Sequence, residues 1–329
     1  MKIINAGYEI MPMNEGMFKN IERVARVCYK SEDKICEGSA EKMVTSLTKR
    51  KHEAMLEHEC IFFEVPEIED YLNFLDFVNR MKTMGMDCMI RTTYLEERGV
   101  VSGNIRMWRD FIKNAICINS SLNTPCNKLL VNIPQVVADL VAYKNIWPII
   151  FDDMDFDVDT KFDGGVYTPI NKEQLTDAEK YVHYPITVKF IIDAGVGREI
   201  TRHRIASFAH ESTRYCNYSK DGFGAEITVI KPCFFEEGTD AYEEWKAGCE
   251  AAENAYMALL NIGRTPQEAR DVLPFSVKGD LVMTAVINEW IHFFNLRALD
   301  KTGAAHPQMK EVTVPLFAEI SKKYPGFFN

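Results

Sequence analysis

The sequence predicts a mixed protein of α-helices and β-strands. Residues 18–30, 39–51 and 68–83 carry apolar side chains at helical spacing, whereas residues 60–66 and 184–193 are rich in strand-forming residues. The chain has 329 residues, of which 47% are hydrophobic and 26% are charged, as is ordinary for a soluble globular protein. Its net charge of −10 disfavours broad nucleic-acid binding, which needs a basic face.

The cysteine pattern and the hydropathy of the chain indicate a cytoplasmic protein. No apolar stretch follows a basic start, and no run approaches the roughly 18 apolar residues of a membrane span. We therefore expect neither secretion nor membrane insertion. The nine cysteines are scattered and never form Cys-x-x-Cys, which argues for reduced thiols and against a zinc site or a disulfide framework. We expect no metal.

Residues 198–215 are unusually rich in arginine for an acidic chain. They contain four arginines and two histidines but no lysine. The planar guanidinium fork suits phosphates and carboxylates, and Ser212 and Thr213 add hydroxyl groups beside Arg214. Two other interpretations stay open, a solvated basic surface and an internal salt-bridge network.

The segments around this cluster have mixed patterns. After the predicted strand 184–193, a short helix carrying Arg198 and Arg202 is expected. The sequence does not match a dinucleotide-binding fingerprint, because position 200 is Ile where a third glycine is needed. Residues 205–215 have no clean period and predict a loop that lines a site, and residues 280–297 predict an apolar helix.

Several kinds of chemistry find no support. There is no Gly-x-Ser-x-Gly elbow of a serine hydrolase. His52 and His58 are six residues apart, which does not match the zinc-protease motif. The acidic stretch 151–160 lacks the glycine and glutamate of a calcium loop and predicts an exposed loop. An arginine-rich site without an obvious nucleophile favours chemistry that is delegated to a cofactor.

The spacing within the arginine cluster resembles a known signature. Arg202-His203-Arg204, seven further residues, Ser212 and then Arg214-Tyr215 resemble the signature of the flavin-dependent thymidylate synthases. Three further stretches resemble segments of this family and follow the same order along the chain. They are His52–His58, which precedes a strand, Ala269–Pro274 and His306–Glu311. The resemblance covers roughly residues 1–66 and 186–329.

The resemblance implies a fold and a reaction. The fold is α+β, a mixed sheet flanked by helices, in a single catalytic domain over residues 1–329 with an insertion at 67–185. The family is homotetrameric, with each flavin at a junction of subunits. The implied reaction is FAD-dependent methylation of dUMP to dTMP, with methylenetetrahydrofolate as carbon donor and NADPH as reductant.

The resemblance also implies residue roles. Arg297 would be catalytic, because a fixed positive charge at the pyrimidine makes C5 more nucleophilic. The implied dUMP-binding residues are Glu199, Ile200, Thr201, Arg202, His210, Glu211, Ser212, Thr213, Arg214, Arg270 and Arg297. The implied FAD-binding residues are His52, Ala54, Arg202, His203, Arg204, His210, Asn288 and His292.

Four positions depart from the family pattern. Glu199 replaces a common glutamine and His210 a common glutamate or glutamine, whereas Val286 and Asn288 stand where an asparagine and an arginine often occur. Two alternative functions therefore stay open. One is flavin-dependent transfer of another one-carbon group, such as hydroxymethyl, to a related pyrimidine nucleotide, and the other is noncatalytic binding of a nucleotide or RNA.

Two further patterns are left undecided by the sequence. Cys216 follows Tyr215, and nearby arginines would lower the pKa of its thiol, so it is the candidate for a cysteine nucleophile. The pattern Asn104-x-Arg106-x-Trp108-x-x-Phe111 weakly resembles Val286-x-Asn288-x-Trp290-x-x-Phe293. Coincidence and an old duplication are both compatible with that similarity.

Overall fold

A computed structural model of the chain describes residues 1–86, 89–111, 114, 168–220 and 224–328. In chain order its strands are β1 (Lys2–Ile4), β2 (Gly7–Ile10), β3 (Cys60–Val65), β4 (Arg91–Leu95), β5 (Arg98–Asn104), β6 (Thr168–Ile170), β7 (Pro185–Asp193), β8 (Ser207–His210), β9 (Thr228–Ile230) and β10 (Lys278–Val286). Its α-helices are α1 (Met17–Tyr29), α2 (Ser39–Lys49), α3 (Ile68–Thr83), α4 (Asp177–His183), α5 (Ala194–Ile200), α6 (Asp240–Asn261), α7 (Pro266–Ala269), α8 (Ile287–Arg297) and α9 (Pro307–Lys323). Residues 105–111 are also helical.

The chain forms two compact units. The C-terminal unit comprises Met1–Glu15, Glu22–Ile35 and Ile186–Asn329, and the central unit comprises Gly16–Ile21 and Cys36–Pro185. The single domain with an insertion at 67–185 stays a prediction. The acidic stretch 151–160 lies outside the described residues.

The C-terminal unit is built on a four-stranded sheet in the order β2-β7-β10-β8. Strand β2 pairs antiparallel with β7, and β8 pairs antiparallel with β10. A separate parallel pair joins β1 to β9. Strand β10 is buried along almost its whole length, as expected for a strand covered on both faces.

The predicted helix over residues 280–297 is wrong in its first part. Residues up to Val286 belong to β10, and only α8, from Ile287, is helical. A continuous apolar run is compatible with a buried strand as well as with a helix, so periodicity alone could not separate them. Helix α8 is fixed to the neighbouring strand β7, because the indole of Trp290 donates to the carbonyl of Ile186 at 3.0 Å.

The central unit has an antiparallel sheet in the order β4-β5-β3-β6. Three of its strands come from residues 67–185, and they surround β3, which lies outside that range. Helix α3 packs buried aromatic residues, Tyr71, Phe74 and Phe77, into this unit. The predicted insertion thus supplies most of the sheet in which β3 is embedded.

The predicted α+β class is confirmed, with sheets accompanied by helices. The helices expected at 18–30, 39–51 and 68–83 and the strands expected at 60–66 and 184–193 are all present. The expected loop at 205–215 is wrong at Ser207–His210, which pair with β10 as an edge strand. Within the described ranges, no helix is long and apolar enough to cross a membrane.

Candidate functional site

Helix α5 begins where strand β7 ends. The carboxylate of Asp193 accepts the backbone N–H of Val196 at 2.8 Å, a typical N-cap that satisfies a free donor of the first turn. The helix ends at Ile200, so the predicted position of Arg202 within it is wrong, and Arg202 lies in the following turn. The side chain of Ile200 is fully buried, so it belongs to the core.

His210 lies against two glycines of the same unit. A Cβ on Gly197 would be 3.3 Å from its Cε1, and a Cβ on Gly279 would be 2.7 Å from its Nε2. The second distance is shorter than real Cβ contacts, so any larger residue at position 279 would displace the ring. The glycines therefore bring the predicted site residue His210 next to α5.

The arginines at the start of the cluster are held by groups other than carboxylates. The guanidinium of Arg198 lies over the ring of Phe275, 4.7 Å from its centroid. Arg204 donates to the backbone carbonyls of Thr201 at 2.6 Å and His203 at 2.7 Å. A guanidinium that is held by a ring or by carbonyls keeps its full positive charge.

The other arginines are exposed and also lack acidic partners. Arg214 donates from Nε to the side-chain oxygen of Gln267 at 3.0 Å, in the segment that continues to Arg270. The side chains of Arg202 and Arg270 are exposed. Five arginines form no ion pair with any residue that the structure describes, and they are Arg198, Arg202, Arg204, Arg214 and Arg270. An internal salt-bridge network is therefore the wrong interpretation of the cluster.

Arg297 does pair with a carboxylate. At the end of α8, its guanidinium donates to Glu199 Oε2 at 3.2 Å and to the Glu199 carbonyl at 3.3 Å. The Arg297 side chain is 24% exposed and that of Glu199 is 39% exposed. The structure thus brings together two residues that the sequence analysis assigned to one site from segments about a hundred positions apart.

His203 is buried beside two residues of α8. Its ring centroid is 5.2 Å from that of His292 and 5.4 Å from that of Phe293. Burial, with a further contribution from His292, lowers the pKa of His203 to about 4, so the imidazole is neutral at pH 7. Among the described residues, the buried His203 Nε2 and the buried Oδ1 of Asn288 have no hydrogen-bond partner.

Glu211 belongs to a buried cluster of charges that the sequence analysis did not find. Its Oε2 lies 3.0 Å from Lys278 Nζ and 3.4 Å from Lys30 Nζ, and its Oε1 accepts the hydroxyl of Tyr218 at 3.1 Å. Asp280 forms ion pairs with the same two lysines, and its carboxylate lies 4.0 Å from Nζ of a third lysine, Lys189. The carboxylate of Glu211 is thus used within the protein, so it fixes the start of the loop that carries Ser212.

The next residues of this loop are anchored through the backbone. The N–H of Ser212 donates to the carbonyl of Cys28 at 3.2 Å, and that of Cys216 donates to Ser212 O at 2.9 Å. Ser212 and Thr213 are half-buried. Cys216 is only 1% exposed, and burial raises the pKa of its thiol to about 12. The expected lowering of this pKa is wrong, because desolvation, with a smaller contribution from Glu211, raises it.

A cleft of about 390 Å³ opens beside α5. The amide of Gln308 donates to Asp193 at 2.9 Å within it, and Phe275 is 63% exposed. Residues that line the cleft include Asp193, Arg198, Glu199, Phe275, His306 and Gln308. A cleft with an exposed ring and a few polar groups is typical of a small-molecule site. Of the predicted dUMP-binding residues, Glu199 lines it.

The remaining predicted flavin residues, His52 and Ala54, belong to the central unit. His52 precedes the 3-10 segment Glu53–His58, and Ala54 lies in its first turn. Both residues are half-buried. The structure therefore distributes the predicted FAD-binding residues over both units.

Some residues at these sites were not found from the sequence. Lys30, Lys278 and Asp280 carried no local signal, because they are distant from Glu211 in the sequence and meet it only in the folded chain. Phe275 lies just after the Ala269–Pro274 stretch, and an apolar ring directly after a site motif is a signal that could have been used. Within the described residues, no group of His, Cys, Asp and Glu is arranged to hold a metal ion.

Comparison with known proteins gives consistent matches over the C-terminal part. A family model described as "Thymidylate synthase complementing protein" matches residues 180–326. The flavin-dependent thymidylate synthase of Pyrococcus abyssi is 30% identical over 125 residues, which are 38% of this chain and 49% of that protein. The enzyme of that name from Geobacter sulfurreducens is 30% identical over 138 residues, 42% of this chain and 56% of the relative.

Solved structures of one further protein are similar as well. They are two crystal structures of a UMP/dUMP methylase PolB from Streptomyces cacaoi. The one bound with 5-Br UMP has a TM-score of 0.35 and 24% identity, covering 42% of this chain and 69% of that chain. The one bound with 5-Br dUMP has a TM-score of 0.38 and 15% identity, covering 98% and 93%.

This chain spans about half the length of the curated relatives it matches. The matching residues include the arginine cluster, Arg270, Arg297 and the segment from His306. The resemblance predicted from the sequence is thereby confirmed over residues 180–326, which match this family model and are similar to the flavin-dependent thymidylate synthases.

Proposed function

We propose that the protein catalyses the FAD-dependent methylation of dUMP to dTMP, with methylenetetrahydrofolate as carbon donor and NADPH as reductant. The observation that carries this proposal is the cluster of arginines without acidic partners. Arg202 and Arg270 are exposed and unpaired with the described residues, and Arg214 is held by a neutral amide. Guanidinium groups that keep their charge are suited to a nucleotide phosphate.

Arg297 is proposed to act at the pyrimidine. Its guanidinium is fixed by two hydrogen bonds to Glu199, so its position is preorganised. A fixed positive charge stabilises negative charge that develops on the ring during the reaction. Glu199 reduces this charge in part, and it also lines the cleft of the C-terminal unit. The pair therefore supports a role for this cleft in holding the base.

The residues proposed to hold the flavin fit such a group. His203 Nε2 and Asn288 Oδ1 are buried without a described partner, and buried polar atoms normally have one. A flavin ring carries donors and acceptors along one edge, so it could supply both partners. The neutral state of His203, whose pKa is lowered to about 4 mainly by burial, avoids a second buried positive charge near Arg297. When bound, reduced FAD supplies the hydride.

Further residues are proposed to contact FAD, namely His52 and Ala54 of the central unit and Arg202, Arg204, His210 and His292 of the C-terminal unit. The flavin lies at a junction of subunits in the proposed homotetramer, which works in the cytoplasm. His210, where the family has a glutamate or glutamine, lies on Gly197 and Gly279. This support by glycines suits a ring that must reach a bound ligand.

The test combines a spectrum with product analysis. The purified protein should be yellow, with flavin absorbance, and should convert dUMP to dTMP when supplied with methylenetetrahydrofolate and NADPH. A colourless protein that takes up no added FAD contradicts the proposal. A flavoprotein that produces a hydroxymethylated nucleotide, or that uses UMP instead of dUMP, supports the related one-carbon transfer in its place.

A further inference from the structure

The two units contain the same structural piece. In the central unit, β5 pairs with β3, with Ser102 opposite Phe62, and it leads directly into the helical residues 105–111. In the C-terminal unit, β10 neighbours β7 and leads directly into α8. There the hydroxyls of Thr284 and Thr187 are 2.8 Å apart. Ser102 and Thr284 each precede a tryptophan by six residues, so the two strand pairs bring equivalent positions together.

The helices are attached to the strands by equivalent bonds. The indole of Trp108 donates to the carbonyl of Ile61 at 3.3 Å, as the indole of Trp290 donates to Ile186 at 3.0 Å. Ile61 is the second residue of β3, and Ile186 is the second residue of β7. The sequence similarity around the two tryptophans therefore reflects a repeated structure rather than coincidence.

The aromatic packing repeats as well. Trp108 and Phe111 lie edge to face with ring centroids 5.8 Å apart, and Trp290 and Phe293 do so at 5.3 Å. Both tryptophans are almost completely buried. Counted from the tryptophan, Arg106 takes the position that Asn288 holds in α8. The central unit therefore has a guanidinium where the C-terminal unit has an amide.

Arg106 is bound to the segment between His52 and His58. Its Nη1 donates to Glu57 Oε1 at 2.5 Å, and its Nε lies 3.9 Å from Glu53 Oε2. Glu53 stands between His52 and Ala54 in the sequence. The Arg106 side chain is 44% exposed, so these contacts form at the surface of the unit.

The same helix contacts this segment at two further points. The buried Arg109 lies with Nε 3.3 Å from Glu53 Oε1, and the N–H of Ile105 donates to the carbonyl of Glu59 at 3.1 Å. Glu53 is thus held by two arginines of one helix. A segment of 3-10 helix has poor hydrogen-bond geometry of its own, so its conformation depends on such external contacts.

We propose that Arg106 is a positioning residue of the flavin site. It binds the segment that carries His52 and Ala54 to the helix of residues 105–111, which follows β5 in the central unit. This inference rests on the proposed function, in which those two residues contact FAD. In this proposal, residues 98–111 of the predicted insertion fix the position of the segment that carries His52 and Ala54. Arg106 does so through Glu57 and Glu53.

The test is a double-mutant cycle on flavin affinity in the full chain. Arg106→Gln, Glu57→Gln and the double variant are stripped of flavin and titrated with FAD, and the thermal midpoint of each is recorded. The matched control is Arg80→Gln, which breaks the exposed pair with Asp76 on α3 of the same unit. Arg109 is left unchanged, because a buried unpaired Glu53 would endanger folding.

Each single variant should raise the Kd for FAD about fivefold, with a thermal midpoint like that of the control. The double variant should bind no more weakly than Arg106→Gln, because the Arg106–Glu57 interaction is already lost in that variant. If Arg106→Gln binds FAD with wild-type affinity, the inference is overturned. It is also overturned if the affinity falls only in proportion to the thermal midpoint. Neither result contradicts the proposed function. A wild-type protein that binds no FAD removes both.

Discussion

The guanidinium of Arg297 holds Glu199 through both the side chain and the backbone of that residue, at 3.2 and 3.3 Å. The carboxylate replaces the glutamine that is common in the family, so this chain places a negative charge beside the arginine proposed to polarise the pyrimidine. A glutamine would keep the hydrogen bond and leave the positive charge of Arg297 undiminished. The relation between the two residues therefore predicts opposite effects of their substitution.

Arg297→Ala should lower kcat/KM for dUMP by about a hundredfold while flavin stays bound, because one charge-assisted contact in the transition state is lost. Glu199→Gln should lower KM for dUMP about threefold, because a negative charge near an anionic substrate is removed. Steady-state kinetics, with flavin content as control, measure both. A strongly raised KM in Glu199→Gln would instead mean that the carboxylate binds the nucleotide directly.

The exposed arginines should act mainly on nucleotide binding. Replacing Arg202 or Arg270 with Gln should raise KM for dUMP roughly tenfold or more, because each removes a charge-assisted contact to phosphate. The difference from wild type should shrink at high salt, since salt screens exposed charges. Arg264→Gln is the matched control, because it is exposed on the same segment and pairs weakly with Glu268 at 3.7 Å. Equal KM values in Arg270→Gln and the control would contradict the phosphate role.

The residues around Cys216 should not form a covalent bond to the nucleotide. Cys216→Ala and Ser212→Ala are each expected to keep turnover, because burial raises the pKa of the Cys216 thiol to about 12 and a thiol is a weak nucleophile. Arg214→Ala should lose most activity. Rates of the three variants and intact-protein mass spectrometry after trapping with dUMP decide the point. A dUMP adduct on Cys216, with an inactive alanine variant, would support a cysteine mechanism.

The sequence signals that indicate the candidate site are local. A comparable local signal is the capping-box spacing of Thr265 and Glu268, where the N–H of Thr265 donates to the carboxylate of Glu268 at 2.9 Å. The arginine signature and the segment around Arg270 are of the same kind. Each of these depends on residues a few positions apart, so a single sequence reveals it.

What the sequence could not predict depends on contacts between residues that are distant in the sequence, and on the boundary between two apolar elements. Lys30 and Asp280 meet across about 250 positions, and neither has a neighbour that suggests the other. The boundary at Val286 between β10 and α8 was missed, because both elements are apolar and buried. The repeat around Trp108 and Trp290 became clear only when their indoles proved to have equivalent acceptors.

His203 should make the folded protein sensitive to acid. Its pKa is about 4 in the folded state, mainly because of burial, against an unfolded value of about 6.5. Below about pH 6.5 the unfolded chain therefore binds a proton that the folded one does not, so stability falls as pH decreases towards 4. His203→Gln should lose this part of the pH dependence, up to about 3 kcal/mol. The test is the free energy of unfolding in urea at pH 7 and at pH 5, for the wild type and for His203→Gln. If the loss of stability between these two pH values is the same in both proteins, the prediction is wrong.

The buried cluster around Glu211 predicts an asymmetry between its acidic and basic members. Among the residues that the structure describes, Lys30, Lys189 and Lys278 approach two carboxylates, those of Glu211 and Asp280. Both carboxylates are almost fully buried, whereas the side chains of Lys30 and Lys189 are 20% and 19% exposed. Burial, with a smaller contribution from Lys30, lowers the pKa of Lys278 to about 8.

Glu211→Gln should therefore destabilise the protein by about 3 to 5 kcal/mol, because it leaves three ammonium groups around one carboxylate. Lys30→Met should cost clearly less, since it leaves two charges of each sign and keeps the apolar stem of the side chain. Urea unfolding measures both, with Glu237→Gln as control. That variant removes an exposed pair with Lys231 and should change stability by less than about 1 kcal/mol. If Lys30→Met proves as costly as Glu211→Gln, the cluster does not carry an excess of positive charge, and Lys30 must be required for packing or for the loop at Ser212.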